Sequence, residues 1–206
     1  MAAATKTAAR KTSAAAPAPR AVNKHGARRR QILEVAAARF RSHGYGAASM
    51  RDIAGEVGIL AGSLYHHFPS KDDLFTAVHE EGIRRIDEAV DTALDGRTDP
   101  WARLEAAMMA HLDYLLEGGD FAVVVLRAVP ADLGSRQRLV ALRDAYEARF
   151  RELIEDLPLP ATVGRDSLRL MLLGALNWSQ TWYRRDGDTT PEGIARDFLA
   201  LLRAPL

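Results

Sequence analysis

Cysteine is absent from all 206 residues, so neither a disulfide nor a thiolate zinc site can hold this chain together. That absence agrees with a reducing compartment. Long apolar runs are missing as well. No stretch approaches the roughly 20 consecutive apolar residues that a membrane-spanning helix needs, and no secretory signal is expected at the N-terminus. There is no Gly-rich phosphate loop, no Gly-x-Ser-x-Gly elbow and no cysteine nucleophile, so no enzyme class is singled out. Lysine is scarce, at Lys6, Lys11, Lys24 and Lys71 alone, and arginine carries the rest of the positive charge. What the chain does have is 48% hydrophobic residues, enough for one sizeable core or for a small domain joined to a larger one.

The net charge is only +1, but it is unevenly spread. Lys6, Arg10, Lys11, Arg20, Lys24, Arg28, Arg29 and Arg30 precede any acidic side chain, so the body that follows must be mildly acidic. A basic arm of this kind suits an anionic partner, such as a phosphate backbone or a minor groove. A solvated tail with no role is the plain alternative. Residues 1–26 are rich in Ala, Ser, Thr and Pro and hold too little apolar surface to offset the entropy of ordering, so they read as a disordered arm.

Hydrophobic periodicity beyond the arm is helical throughout. Ile32, Leu33, Ala36 and Phe40 mark one face of a helix over 28–43, closed by Gly44. Ser49 and Asp52 have capping-box spacing ahead of Ile53, Ala54 and Val57, and Gly58 is placed to stop that helix in a left-handed C-cap. Ile59 and Leu60 read as buried turn residues. A second short helix over 61–68 puts Leu64 and Phe68 inward and Ser63, His66 and His67 outward. Pro69 and Ser70 then end one helix and cap the next. The pattern is that of a helix-turn-helix.

Downstream, helices are expected over 71–94, 100–117, 121–129, 135–157 and 163–184, with a last one opened by Thr190 and Pro191. Gly82 reads as a close-packing or bending point. The run around Val123, Val124 and Val125 has strand-like composition, but a single strand makes no sheet, so it is assigned to a short buried helix. The helix after Val163 is apolar almost all round and needs cover on both sides. The fold class expected is all-α: an N-terminal three-helix unit over 27–74 and a C-terminal helical unit over 75–206, about nine helices in all.

The stretch IAGEVGILAGSLYHHFPSKDDL resembles the DNA-binding signature of the TetR (tetracycline repressor) family of bacterial regulators. Ala54, Gly58, Leu64, Tyr65, Phe68, Lys71 and Leu74 match in register. RRRQILEVAAARFRSHGY is similar to that family's first helix and turn. The resemblance implies a cytoplasmic, nucleoid-associated bacterial regulator without a cofactor, acting as a homodimer that pairs its last two helices. It also implies a double-stranded operator as partner and a small-molecule effector bound in the body. In a helix-turn-helix the second helix enters the major groove. Ala61, Gly62, Ser63, Tyr65, His66 and His67 are therefore candidates for DNA contact, with Arg28, Ser49, Arg51 and Lys71 beside them. Family positions matching Tyr65, His66 and Lys71 commonly touch DNA, often at phosphate. Loss of the Lys71 ammonium would then lower the salt slope of binding by about one. Leu60 departs from the family pattern, which often has a capping Ser or Thr there.

His66 and His67 raise the question of a metal. Adjacent helical residues point about 100° apart, so the pair does not converge on one ion, and no His-x-x-x-His spacing occurs. For the effector, the stretch LNWSQTWYRRDG clusters Asn177, Trp178, Trp182, Tyr183 and Arg184. Packing and dimer contacts are one account of this cluster. The other is a pocket for a large apolar ligand with an anionic end. This stretch resembles regulators of fatty-acid or sterol-like catabolism that respond to acyl-CoA thioesters. The lining residues expected are Met108, Leu112, Leu115, Phe121, Leu126, Arg127, Asn177, Trp178 and Trp182. Two rival classes stand beside this reading: a non-specific architectural DNA-binding protein using the basic arm, and a helical enzyme.

Overall fold

A computed structural model describes residues 20–127 and 129–204, with side chains from residue 26 onward. The disordered-arm expectation falls outside the described residues up to residue 19. Its last stretch, from Arg20, continues the first helix. The described residues form nine α-helices and no strand. They are α1 (Arg20–Ala47), α2 (Met50–Val57), α3 (Ala61–His67), α4 (Lys71–Leu94), α5 (Pro100–Glu117), α6 (Asp120–Leu126), α7 (Arg136–Glu155), α8 (Arg165–Trp178) and α9 (Pro191–Arg203). The all-α expectation holds.

Local chemistry sets most of the boundaries. Gly44 breaks α1 with φ 73° and ψ 169°, a region essentially reserved for glycine. Ser49, Ser70, Asp99 and Thr190 cap α2, α4, α5 and α9 by accepting main-chain N–H groups. Ser49 receives the Arg51 amide at 3.2 Å, so the reciprocal arm of a capping box is not what secures this end. Helix α8 stops sooner than periodicity suggested. The fully buried Ser179 donates its hydroxyl to Leu176 O at 2.6 Å, and a short 3₁₀ turn follows over Ser179–Thr181.

Two buried clusters share the molecule. The first belongs to the head: Ile32, Leu33, Ala36 and Phe40 of α1, Ile53 and Val57 of α2, Leu64 of α3, and Leu74, Phe75 and Val78 of α4. It also takes in Phe121 and Val124 of α6 and Leu139 of α7. The second cluster is the body, built around Leu104, Met108 and Leu112 of α5 with Phe150 and Ile154 of α7, Leu172 and Leu176 of α8, and Ile194 of α9. Helix α4 serves both, contributing Ile86 and Val90 to the body. Each fully buried leucine or phenylalanine contributes about 2–3 kcal/mol of transfer free energy. Helix α6 lies close against α4 at Gly82, where an added Cβ would collide with Val125 Cγ2. Glycine is required here for close approach.

The outer side of α8 is uncovered within one chain. Leu168, Leu172, Leu173 and Leu176 face the body, while Leu170, Met171 and Trp178 are 60%, 59% and 66% exposed. Leu201 of α9 is 75% exposed.

Candidate functional site

The head presents α3 on a rigid support. Gly58 takes the left-handed conformation (φ 73°, ψ 37°), and the Ile59 N–H reaches back to Ala54 O at 3.0 Å. This turn fixes the angle between α2 and α3. Leu64 and Phe68 are buried beneath α3 and hold it down. Gly62, Ser63, Tyr65 and His66 are exposed on its outer side, and Ala61 and His67 are half-buried. An added Cβ at Gly62 would meet nothing within 4 Å, so the fold itself does not demand glycine there. Arg51 is exposed beside α3 and Ser49 is half-buried at its cap. Arg28 is exposed and bonds Gln31 at 2.7 Å, and the Arg29 guanidinium lies 4.9 Å above the Phe68 ring.

Leu60 departs from expectation, and Lys71 has partners that the sequence did not announce. Leu60 is 80% exposed rather than buried, because it is the N-cap of α3 and its extended backbone (φ −68°, ψ 144°) turns the side chain away from the head core. Lys71 is engaged by the protein's own main chain. Its ammonium donates to Tyr45 O at 2.9 Å, Gly46 O at 3.3 Å and Ala48 O at 3.3 Å, and lies 4.4 Å from the Tyr45 ring centroid. An ammonium has three N–H donors, and the turn after Gly44 supplies three carbonyls for them. The Tyr45 hydroxyl in turn donates to Asp72, and burial together with that bond pushes the phenol up to about 12. Lys71→Met is therefore expected to lower head stability by about 1–2 kcal/mol in urea unfolding while leaving the salt slope of DNA binding unchanged. A slope lowered by about one would restore the phosphate contact.

Behind the head, α4, α5, α6, α7 and α8 enclose a cavity of about 480 Å³. Ile83, Ile86, Leu115, Val125, Leu126, Val140 and Leu173 make most of its wall apolar. Of the residues expected to line it, Leu115, Leu126, Arg127, Asn177 and Trp178 do so. Met108 and Leu112 do not, being fully buried in the body core. Phe121 faces the head core, and Trp182 lies beyond the end of α8, outside the cavity wall.

Several lining residues were not foreseen from the sequence: His79, His111, Tyr146, Arg136 and Arg143. His111 Nδ1 lies 2.7 Å from the Tyr146 hydroxyl and Nε2 lies 3.1 Å from Asn177 Oδ1. A neutral imidazole satisfies both, accepting from the tyrosine and donating to the amide oxygen. Burial agrees, pushing His111 down to about 4 against the pull of the Asn177 bond. His79 is equally buried, packs 4.7 Å from the Phe75 ring and has no hydrogen-bond partner on either ring nitrogen. Desolvation lowers it to about 4, against an opposing pull from the Phe75 main chain. Three arginines, the Glu147 carboxylate and the Gln180 amide also line the wall. Arg143 is engaged by Asp144 at 3.1 Å and Glu147 at 3.5 Å. Arg127 and Arg136 have no carboxylate partner among the described residues, and each donates to a main-chain carbonyl, Phe40 O and Val129 O, at 2.9 Å.

Comparison with known proteins agrees with this geometry. Residues 32–78 match the family described as bacterial regulatory proteins, tetR family, and residues 97–206 match the tetracyclin repressor-like C-terminal domain. The chain is 31% identical over 188 residues to the HTH-type transcriptional repressor KstR2 of Rhodococcus jostii (strain RHA1), covering 85% of this chain and 89% of that one. It is 29% identical over 182 residues to KstR2 of Mycobacterium tuberculosis (strain ATCC 25618 / H37Rv), covering 85% and 90%. Among solved structures, AibR in complex with isovaleryl coenzyme A and operator DNA aligns with a TM-score of 0.73 at 25% identity, over 84% of this chain and 97% of that one. The TetR family regulator PfmR from Thermus thermophilus aligns with a TM-score of 0.69 at 30% identity, over 83% and 96%. These are matches to a regulator rather than to an enzyme, and together with the capped helix-turn-helix they establish that the chain belongs to the TetR family of DNA-binding transcriptional regulators.

Proposed function

We propose that this chain is a homodimeric repressor that binds a pseudo-palindromic operator and is released by an apolar small molecule with an anionic end, an acyl-CoA thioester being the class that fits best. The observation that carries the ligand reading is the cavity: a largely apolar wall with Arg127 and Arg136, neither paired with a carboxylate among the described residues. The carboxylate in the wall, Glu147, is engaged by Arg169 at 2.7 Å and Arg143 at 3.5 Å. Its volume is ample for an acyl or small fused-ring group. The CoA portion of a thioester would remain at the mouth. The AibR complex with isovaleryl coenzyme A supports this class, and the KstR2 relatives support repression.

For DNA, Ser63, Tyr65 and His66 are the side chains proposed to meet the major groove, with Ala61, Gly62 and His67 allowing close approach. Arg28, Ser49 and Arg51 are proposed as phosphate contacts that set the register. The uncovered faces of α8 and α9 would pair across a two-fold axis, spacing two copies of α3 by roughly 34–36 Å. Such a protein would work at the nucleoid in the bacterial cytoplasm. A tail-driven architectural protein would instead bind competitor DNA as well as its own promoter region.

Footprinting on DNA flanking its own gene tests the reading, with octanoyl-CoA, octanoate and CoA as separate additions and tryptophan fluorescence followed in parallel. A protected two-fold-symmetric site that is lost with octanoyl-CoA is the expected outcome. Protection that does not discriminate against competitor DNA would sink the repressor. Unmoved fluorescence and protection with all three compounds would sink the ligand class.

A further inference from the structure

Helix α6 has two faces. Phe121 and Val124 are buried in the head core, whereas Val125 and Leu126 line the cavity. Both of its ends are tied to α1. Arg41 pairs with Asp120 at 2.7 Å at one end, and Arg127 donates from Nη1 to Phe40 O at 2.9 Å at the other. On its α4 side the helix has no slack, because Val125 already occupies the space left by Gly82.

The Arg127 tie has a particular chemistry. Phe40 is four residues before the break at Gly44, so its carbonyl belongs to the last regular turn of the straight part of α1, where the helix dipole favours a cation. Arg127 is at the same time part of the cavity wall and lacks a carboxylate partner among the described residues. One guanidinium therefore serves two places, and a neutral carbonyl is the weaker partner. A carboxylate or phosphate oxygen forms a charge-assisted bond of about twice the strength and can engage the guanidinium through two N–H groups.

We propose that Arg127 is the latch through which ligand occupancy reaches the DNA-binding head: the anionic group of the ligand takes the guanidinium from the Phe40 carbonyl, and the end of α1 loses one of its two polar ties to α6, keeping only Arg41–Asp120. This rests on the reading above that the cavity takes an anionic effector. Arg136, which donates to Val129 O and has no carboxylate partner among the described residues, is the second such cation in the cavity wall. The ligand shifts the head by the difference between its anion and a carbonyl as partners for Arg127, and by no more than that difference. Ligand-free protein is latched and competent for DNA.

The test uses the full chain, wild type beside Arg127→Ala and Arg127→Lys, with two readouts. Hydrogen–deuterium exchange over residues 41–47 reports the latch without any DNA. Affinity for the footprinted site, with and without octanoyl-CoA, octanoate or CoA, reports its consequence. In Arg127→Ala without ligand, these amides are expected to exchange about tenfold faster and the operator to be bound about tenfold more weakly, the effect of losing one charged hydrogen bond. Arg127→Lys, which can still donate to Phe40 O, stays within about threefold of wild type by the same reasoning. In wild type the effective compound raises exchange over the same residues. Octanoate acting alone identifies a carboxylate as the displacing group, and octanoyl-CoA or CoA acting instead identifies a phosphate. Exchange over residues 41–47 that is the same in Arg127→Ala and wild type overturns the latch, even if the variant binds acyl-CoA poorly, since Arg127 is then a ligand contact only. A wild type that protects no DNA, in combination with faster exchange in Arg127→Ala, condemns the repressor reading and leaves the latch standing.

Discussion

Leu170→Arg is expected to give a monomer that binds its operator at least about 100-fold more weakly than the parent. Helix α8 spends Leu168, Leu172, Leu173 and Leu176 on its own body and leaves Leu170 and Met171 in water, with Trp178 exposed further along and Leu201 of α9 exposed as well. Apolar side chains covered by a partner contribute roughly 2 kcal/mol each, and a two-fold axis counts every one of them twice. A guanidinium placed there would be buried without a counter-ion in the dimer and fully hydrated in the monomer, so it costs several kcal/mol only in the associated state. Operator binding then falls because two tethered heads gain a factor of about 10²–10⁴ over one. Sedimentation equilibrium gives the mass, a thermal melt shows whether the fold survives, and titration of the footprinted site gives the affinity. A folded Leu170→Arg protein that remains dimeric would move the interface elsewhere.

A second large effect is expected from pH. His79 and His111 are both buried, and both are held down to about 4 from an ordinary 6.5. A depressed histidine keeps the native state unprotonated while the unfolded chain takes up protons. The unfolded state therefore binds more protons between pH 6.5 and 4, and stability rises with pH across that window. The contribution is fully present above pH 6.5 and is lost progressively down to about pH 4. By pH 5 the loss amounts to roughly 2 kcal/mol per histidine, a large share of the 5–15 kcal/mol typical of a domain. Urea unfolding at pH 7.5 and at pH 5 measures it. Carboxylates also titrate near the lower end, so the decisive comparison is His79→Leu, which removes an imidazole with no hydrogen bond to lose. This variant should keep about 2 kcal/mol more of its pH 7.5 stability at pH 5 than the parent does. Equal losses in the two proteins would mean that His79 is hydrated or paired in solution.

Helix boundaries were largely legible in the sequence because they are set by local chemistry. The hydroxyls of Ser49, Ser70 and Thr190 and the left-handed Gly58 act within a few residues of where they stand. The head was legible for the same reason, with a motif that specifies helix, turn and helix together. The cavity was not. Periodicity tells an inward side chain from an outward one, but Met108, Leu112 and Leu115 share one inward stripe of α5 and one buried cluster, so the pattern could not tell which of them also borders the cavity. His79 and Tyr146 stand far from His111 along the chain, one on either side of it, and only the packing of α4 and α7 against α5 brings the three to one space. The carbonyl partners of Lys71 and the exposure of Leu60 were missed for a related reason. Whether a cation is spent on carbonyls 23–26 residues upstream is a matter of tertiary geometry that no local rule records.

The sharing of α6 between the two cores bears on how such regulators can be recombined. The family matches divide neatly, 32–78 and 97–206, and suggest a cut after α4. The buried residues do not divide there, since Phe121, Val124 and Leu139 complete the hydrophobic interior of the head. A head grafted from one regulator onto the body of another would meet a foreign α6 at that seam and inherit its mismatches in volume. Chimeras that carry α6 and the start of α7 along with the donor's first four helices should fold and keep the donor's operator preference. Those cut after α4 should lose stability in proportion to how far the two versions of α6 differ.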